Sequence, residues 1–169
     1  TPGRTDRDFA LLALYREAQK RFAAALEAVD RAVELRPSCF EWRQLRARYL
    51  SRLGRTADAI RELRLANEIR RNDRSVTSAL AVALETAGRQ EEAEAVLRSA
   101  LSVTPDDPVL VAELSCCLRR SYRRREAMET ARRAYASAPD EARAIDALAF
   151  NLMGEESFDE ARALLTGTE

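Results

Sequence analysis

The sequence repeats itself every 34 residues, and that interval constrains the fold more than any other feature. Slid against itself by 34, the chain aligns Ala25, Ala59, Ala93, Ala127 and Ala161 in one column, and Ala32, Ala66, Ala100 and Ala134 in a second. Pro37, Pro105 and Pro139 form a third, with Arg71 in the remaining slot, and Ala13, Ala47, Ala81, Ser115 and Ala149 a fourth. Columns that persist over four or five copies, at a period of this length, specify a stack of like units and not a closed globule.

Each unit is written as two helices. In the third copy Leu80, Ala81 and Leu84 form one apolar stripe and Ala93, Leu97 and Ala100 another, both at helical spacing. "TAGR" at 86–89 separates the two with a glycine. "TPDDP" at 104–108 closes the second helix and starts the next: Pro105 cannot continue a helix, Asp106 or Asp107 can cap one, and Pro108 suits a first helical position. The unit is therefore an antiparallel helix pair. Alanine fills the columns because it lets two helix backbones approach closely, where Leu would hold them apart. Ala93 and Ala127 are thus expected at tight helix contacts.

Composition agrees and narrows the function. The 169 residues are 46% hydrophobic and 33% charged, with only five Gly and five Pro, which leaves little room for long loops. Basic and acidic residues balance at 28 each, which argues against nucleic acid as a partner. No apolar run reaches the length of a membrane span, and "TPGRTDRDF" has no apolar leader segment. There is no His, which removes the usual general base and the commonest metal ligand. Cys39, Cys116 and Cys117 have no zinc-ligand spacing, and adjacent helical residues are poorly placed to pair. The expectation is three free thiols in a reducing, cytoplasmic setting, with no catalytic residue, metal or cofactor.

The in-register small–small–Pro signature, for example Ala93, Ala100 and Pro105, with Leu80, Ala81 and Leu84 on the preceding helix, resembles the tetratricopeptide repeat family. The resemblance runs over nearly the whole chain, as one array of copies at about 6–39, 40–73, 74–107, 108–141 and 142–169. It implies an all-α, right-handed superhelical solenoid of about five antiparallel helix pairs. Departures are Arg46 where a large apolar residue is usual, Trp42 one position before the usual aromatic slot, and the missing proline at Arg71. The bare ends, with no initiator Met and no capping helix after Leu165, are read as a segment of a longer chain.

The resemblance also implies that the first helix of each copy lines a concave groove. Its fifth column reads Ala10, Gln44, Ser78, Ala112 and Asp146; its ninth Leu14, Arg48, Val82, Cys116 and Phe150; its twelfth Glu17, Ser51, Glu85, Arg119 and Met153; its thirteenth includes Arg52 and Arg120. Candidate partner-binding residues are Leu14, Gln44, Arg48, Arg52, Ser78, Val82, Ala112, Cys116, Arg119 and Phe150. Val82, Cys116 and Phe150 read as an apolar strip flanked by arginines, suited to a peptide or helix with apolar anchors and acidic residues. The alternative is inner packing. The family's carboxylate clamp does not transfer, because its Lys and Asn slots hold Ala10 and Leu14.

Charge is banded. Residues 40–73 carry nine Arg and five acids, and 142–169 two Arg and six acids, read as solvated faces with local ion pairs or as patches that orient a partner. "RRSYRRRE" at 119–126 reads as a helix–helix turn rather than a phosphate site. Trp42 and Tyr49, seven apart, read as packing. The function implied is non-catalytic protein binding, as a scaffold or adaptor for a protein or peptide; the alternative is the regulatory arm of a larger enzyme or transcription regulator. Phe158, Leu164 and Leu165 lack a covering helix, which is read as self-association through the C-terminal end or as a face that further residues of a longer chain cover.

Overall fold

Two further columns, both invisible to hydrophobicity, fix where the helices begin and turn. The structure, a computed structural model, describes residues 5–167. The residues that precede the first helix of each copy are Thr5, Cys39, Asp73, Asp107 and Glu141, each 34 after the last. Asp73 Oδ1 accepts from the N–H of Ser75 and Val76 at 3.0 and 3.3 Å, and Asp107 Oδ1 from those of Val109 and Leu110 at 3.1 and 3.2 Å. These bonds satisfy helix-start donors that have no partner inside the helix. Thr5 builds a reciprocal capping box with Asp8. Cys39 makes no side-chain cap; its Sγ donates instead to Glu41 Oε2 at 3.1 Å. Burial and then that bond push the Cys39 thiol above its ordinary range, so it stays protonated at neutral pH and is a poor nucleophile.

The second column is the left-handed turn residue between the helices of each copy. Lys20, Gly54, Gly88, Tyr122 and Glu156 have φ of 59, 76, 74, 61 and 63°. The turn geometry repeats whether or not the residue is glycine.

Between these signals run ten helices, with no strand among the described residues. They are α1 (Asp6–Ala18), α2 (Phe22–Leu35), α3 (Phe40–Arg52), α4 (Thr56–Ile69), α5 (Arg74–Thr86), α6 (Gln90–Leu101), α7 (Pro108–Arg120), α8 (Arg124–Ser137), α9 (Ala142–Gly154) and α10 (Phe158–Thr166). The chain forms two compact units that divide between Ala87 and Gly88, inside the third copy. In the first unit α1 packs on α2, α2 on α3, α3 on α4, and α4 on α5. In the second, α6 packs on α7, α7 on both α8 and α9, and α8 and α10 on α9.

All fourteen residues of the three alanine-rich columns are buried, none more than 3% exposed. Ala93 and Ala127 are completely enclosed, at the tight contacts expected of them. Arg46, the departure from the apolar pattern, is held by charge. Its Nε lies 2.8 Å from Asp30 Oδ1 and its Nη1 3.2 Å from Glu62 Oε1, while Arg43 Nη1 reaches Glu62 Oε2 at 3.1 Å. An ion-pair network thus joins α2, α3 and α4 where other copies place leucine. Trp42 is a packing residue with a polar tether, its Nε1 donating to Asp6 Oδ2 at 2.9 Å. That bond, with Arg36 beside it, outweighs burial and holds the Asp6 carboxyl below the usual aspartate range.

A candidate binding cleft between α7 and α9

The neighbouring helices α7 and α9 are separated by a cleft of about 300 Å³. Along α7, Ala112, Cys116 and Arg120 recur every four residues on the facing side. From α9 come Arg143, Ala147, Phe150 and Met153. Ala112 and Ala147 are each 1% exposed. Their methyls make a floor, so the recess has depth between the taller side chains. Phe150 and Cys116 are half-buried walls, and Met153 is exposed at the lip. Sulfur, aromatic and methyl surfaces together make an apolar interior that adapts to shape.

Charged side chains also line the cleft. Glu113 is nearly enclosed, and its Oε1 accepts from Arg143 Nη2 at 2.7 Å and Nε at 2.8 Å. A carboxylate removed from water needs such a partner. Arg120 and Asp146 complete the rim. This arrangement can receive an apolar side chain and orient polar groups around it. Among the described residues no group of three His, Cys, Asp or Glu side chains gathers for a metal.

Arg119 does not line this cleft, although the sequence placed it beside the apolar strip. Its guanidinium carbon lies 3.7 Å from the centroid of the Phe150 ring, and its Nη1 donates to the Phe150 carbonyl oxygen. The guanidinium also lies against Gly154, where a Cβ would stand 2.7 Å from it. Arg119 is therefore committed to holding Phe150, and Arg120 is the arginine that faces the cleft. Ala112 also differs from its expected role: it is floor rather than an exposed contact.

Six of the candidate residues belong to the first unit. Leu14 and Val82 are exposed, at 43% and 41%. Arg48 Nη2 pairs with Glu17 Oε2 at 2.7 Å, and the buried Tyr49 hydroxyl donates to the same oxygen at 3.0 Å. Arg52 sits 5.9 Å from the Phe22 ring centroid. Gln44 Oε1 accepts from Ser75 Oγ at 3.4 Å, and Ser78 is half-buried. Of the ten candidates, the α7–α9 cleft gathers Ala112, Cys116 and Phe150. It adds Arg120 and Met153, which lie in the columns read from the resemblance, and Glu113 and Arg143, a pair 30 residues apart that no column announces. Gly154 was a usable signal: a glycine at a helix end, 34 residues after Arg120, leaves room for a neighbouring side chain.

The basic stretch 119–126 ends α7, turns and begins α8, and two of its arginines are paired with nearby glutamates. Arg123 Nη1 reaches Glu94 Oε1 at 2.6 Å, and its Nη2 pairs with Glu126. Arg125 Nε reaches Glu129 Oε1 at 3.2 Å, and Tyr122 projects into solvent.

Residues 74–115 match the family model described as Tetratricopeptide repeat. The whole chain superimposes on solved structures of such proteins. TTC0263, a thermophilic TPR protein of Thermus thermophilus, gives a TM-score of 0.79 at 23% identity, over 97% of this chain and 90% of that one. MamA from Desulfovibrio magneticus RS-1 gives 0.73 at 15% identity, over 99% and 95%. YrrB, described as a TPR protein with an unusual peptide-binding site, gives 0.63 at 16% identity, over 95% and 83%. Among curated proteins the sequence finds no match. These likenesses establish the fold.

Proposed function

We propose, from the tetratricopeptide-repeat fold of this chain, that it is a non-catalytic protein-binding scaffold that holds a peptide or helix by an apolar anchor residue seated between α7 and α9. The observation that carries the reading is the cleft itself. Ala112, Cys116, Ala147 and Phe150 make its interior apolar, Met153 stands at the lip, and four charged side chains line it beside them. Such recesses bind through an enclosed apolar core and are oriented by a polar rim. The peptide-binding site named for YrrB is in keeping with this use of the fold. No disulfide joins the three cysteines, which fits a reducing compartment such as the cytoplasm. No helix among the described residues is long and apolar enough to cross a membrane.

The test is a random-peptide selection on the parent chain, followed by titration of the selected peptides against Phe150→Ala and Met153→Glu. Both variants are expected to bind about 30-fold or more weakly with unchanged helicity. Selected peptides that bind both variants as they bind the parent would overturn the assignment of the cleft.

A further inference from the structure

Of the four charged side chains that line the α7–α9 cleft, the one left uncommitted is negative. Glu113 and Arg143 are bound to each other, through contacts of 2.7 and 2.8 Å. Arg120 lies 6.0 Å from the centroid of the Phe150 ring and has a further partner. Asp146 is exposed and makes no hydrogen bond or ion pair among the described residues. Exposed carboxylates are ordinary where only water surrounds them. Asp146 stands instead at an apolar recess: Ala147 follows it in the floor, and Phe150, one turn on, is the wall. It is also the only ionisable residue of its repeat column, which otherwise reads Ala10, Gln44, Ser78 and Ala112.

We propose that the segment held in this cleft carries a Lys or Arg about 6 Å from its apolar anchor, the distance of four residues along a helix, and that Asp146 binds it. The proposal rests on the cleft being the binding site. An anchor seated on the Ala112 and Ala147 floor displaces water from the edge where Asp146 stands. A carboxylate that loses water needs a cation or donors in return. The nearby arginines do not supply them, since Arg143 is held by Glu113 and Arg119 by Phe150. A cation on the partner is the missing half. An acid in the same place would meet Asp146 as a like charge and be rejected. The sequence columns, with their flanking arginines, imply acidic residues on the partner; the commitment of those arginines within the chain reverses that sign at this cleft. In a helical partner the cation falls three or four residues from the anchor, and in an extended one two residues from it.

Peptides selected on the parent chain from a random library are expected to carry Lys or Arg at that distance from an apolar residue. Asp146→Asn should bind them about 5-fold more weakly, with helicity unchanged because the position is exposed. Replacing the basic residue of the peptide by Gln should cost the same, and the two changes together no more than either alone. Added salt should weaken the parent more than Asp146→Asn. Asp146→Lys should recover affinity for a peptide with Glu in place of its basic residue. Phe150→Ala separates this proposal from the one beneath it. Peptides that Phe150→Ala weakens but that bind Asp146→Asn as they bind the parent overturn the basic flank and leave the cleft standing. Peptides that neither change weakens, or a selection that yields no binder, overturn both. Selected peptides with an acid beside the anchor overturn the proposal and assign the flank to Arg120.

Discussion

The Arg119 guanidinium stacks on the Phe150 ring with 3.7 Å between its carbon and the ring centroid, and Gly154 leaves the space in which it lies. Three residues on two helices thereby set the position of one wall of the cleft. A stacked, partly desolvated cation contributes about 0.5–2 kcal/mol. Arg119→Met is therefore expected to lower stability by about 1 kcal/mol by urea titration. Gly154→Ala pushes the guanidinium off its seat in the parent, which offsets the better helix propensity of alanine. With Arg119→Met already in place that conflict is gone, and the same change should stabilise by up to about 1 kcal/mol. A Gly154→Ala effect identical in both backgrounds would dissolve the proposed coupling.

This relationship also shows where sequence reasoning stops. Arg119 and Arg120 are adjacent and chemically identical, and a helical wheel puts them about 100° apart. Which one faces the cleft is decided by a missing Cβ at Gly154, on the next copy. Repetition made the helix pairs, the alanine contacts and the first-helix columns readable, because each recurs in register and averages over copies. Arg46 was readable only as an exception. Its partners Asp30 and Glu62 come from α2 and α4 and belong to no shared column. The same holds for Glu113 and Arg143. Side-chain commitments made once in the chain carry no periodic signature.

The left-handed column gives a prediction about stability. Tyr122 has φ of 61° and a side chain 85% exposed, so it bears the steric cost of that conformation without packing in return. Tyr122→Gly should stabilise the fold by about 1 kcal/mol, a rise of about 2–4 °C in Tm for a chain of this size. Gly88→Ala should do the reverse: a Cβ there meets nothing within 4 Å, so its cost is wholly conformational. Equal melting of Tyr122→Gly and the parent would mean that the turn tolerates a side chain without strain.

The capping column has one defective member. Cys39 precedes α3 but its thiol does not bond to the helix. Cys39→Asp introduces the side chain that caps α5 and α7 and should gain about 1 kcal/mol. Asp107→Ala should lose about the same. Thermal melts of the two single variants, moving in opposite directions, are the expected result; a Cys39→Asp chain that loses stability would show that the bond to Glu41 matters more than the cap.

Tight alanine contacts give the sharpest test of the repeat register. Ala93 is fully enclosed on α6, which packs against α7. Ala93→Leu adds bulk where two backbones are already close, and the overpacking should cost about 1–3 kcal/mol. Ala95, two residues away on the same helix, is exposed, and Ala95→Leu should change stability by no more than about 0.5 kcal/mol. Similar melting of the two leucine variants would sink the register.

Acid should weaken the fold through its caps. Burial favours the neutral form of Asp73, but the Ser75 hydroxyl at 2.6 Å, the N–H groups of Val76 and Ser75, and Arg70 together prevail and hold its carboxyl below the usual range. A carboxyl whose folded value lies below its unfolded one binds protons more readily when unfolded. Its contribution is complete above the ordinary aspartate value of about 3.9 and is lost as the pH falls through the lower folded value. Asp6 and Asp58 are shifted in the same direction, so the chain as a whole should lose stability below about pH 4. Asp73→Asn separates this cap from the rest, since asparagine still accepts the helix N–H bonds but does not titrate in this range. The fall in urea midpoint between about pH 7 and about pH 3 should be smaller in Asp73→Asn than in the parent. An equal fall in both would show that the Asp73 charge contributes nothing to the acid sensitivity.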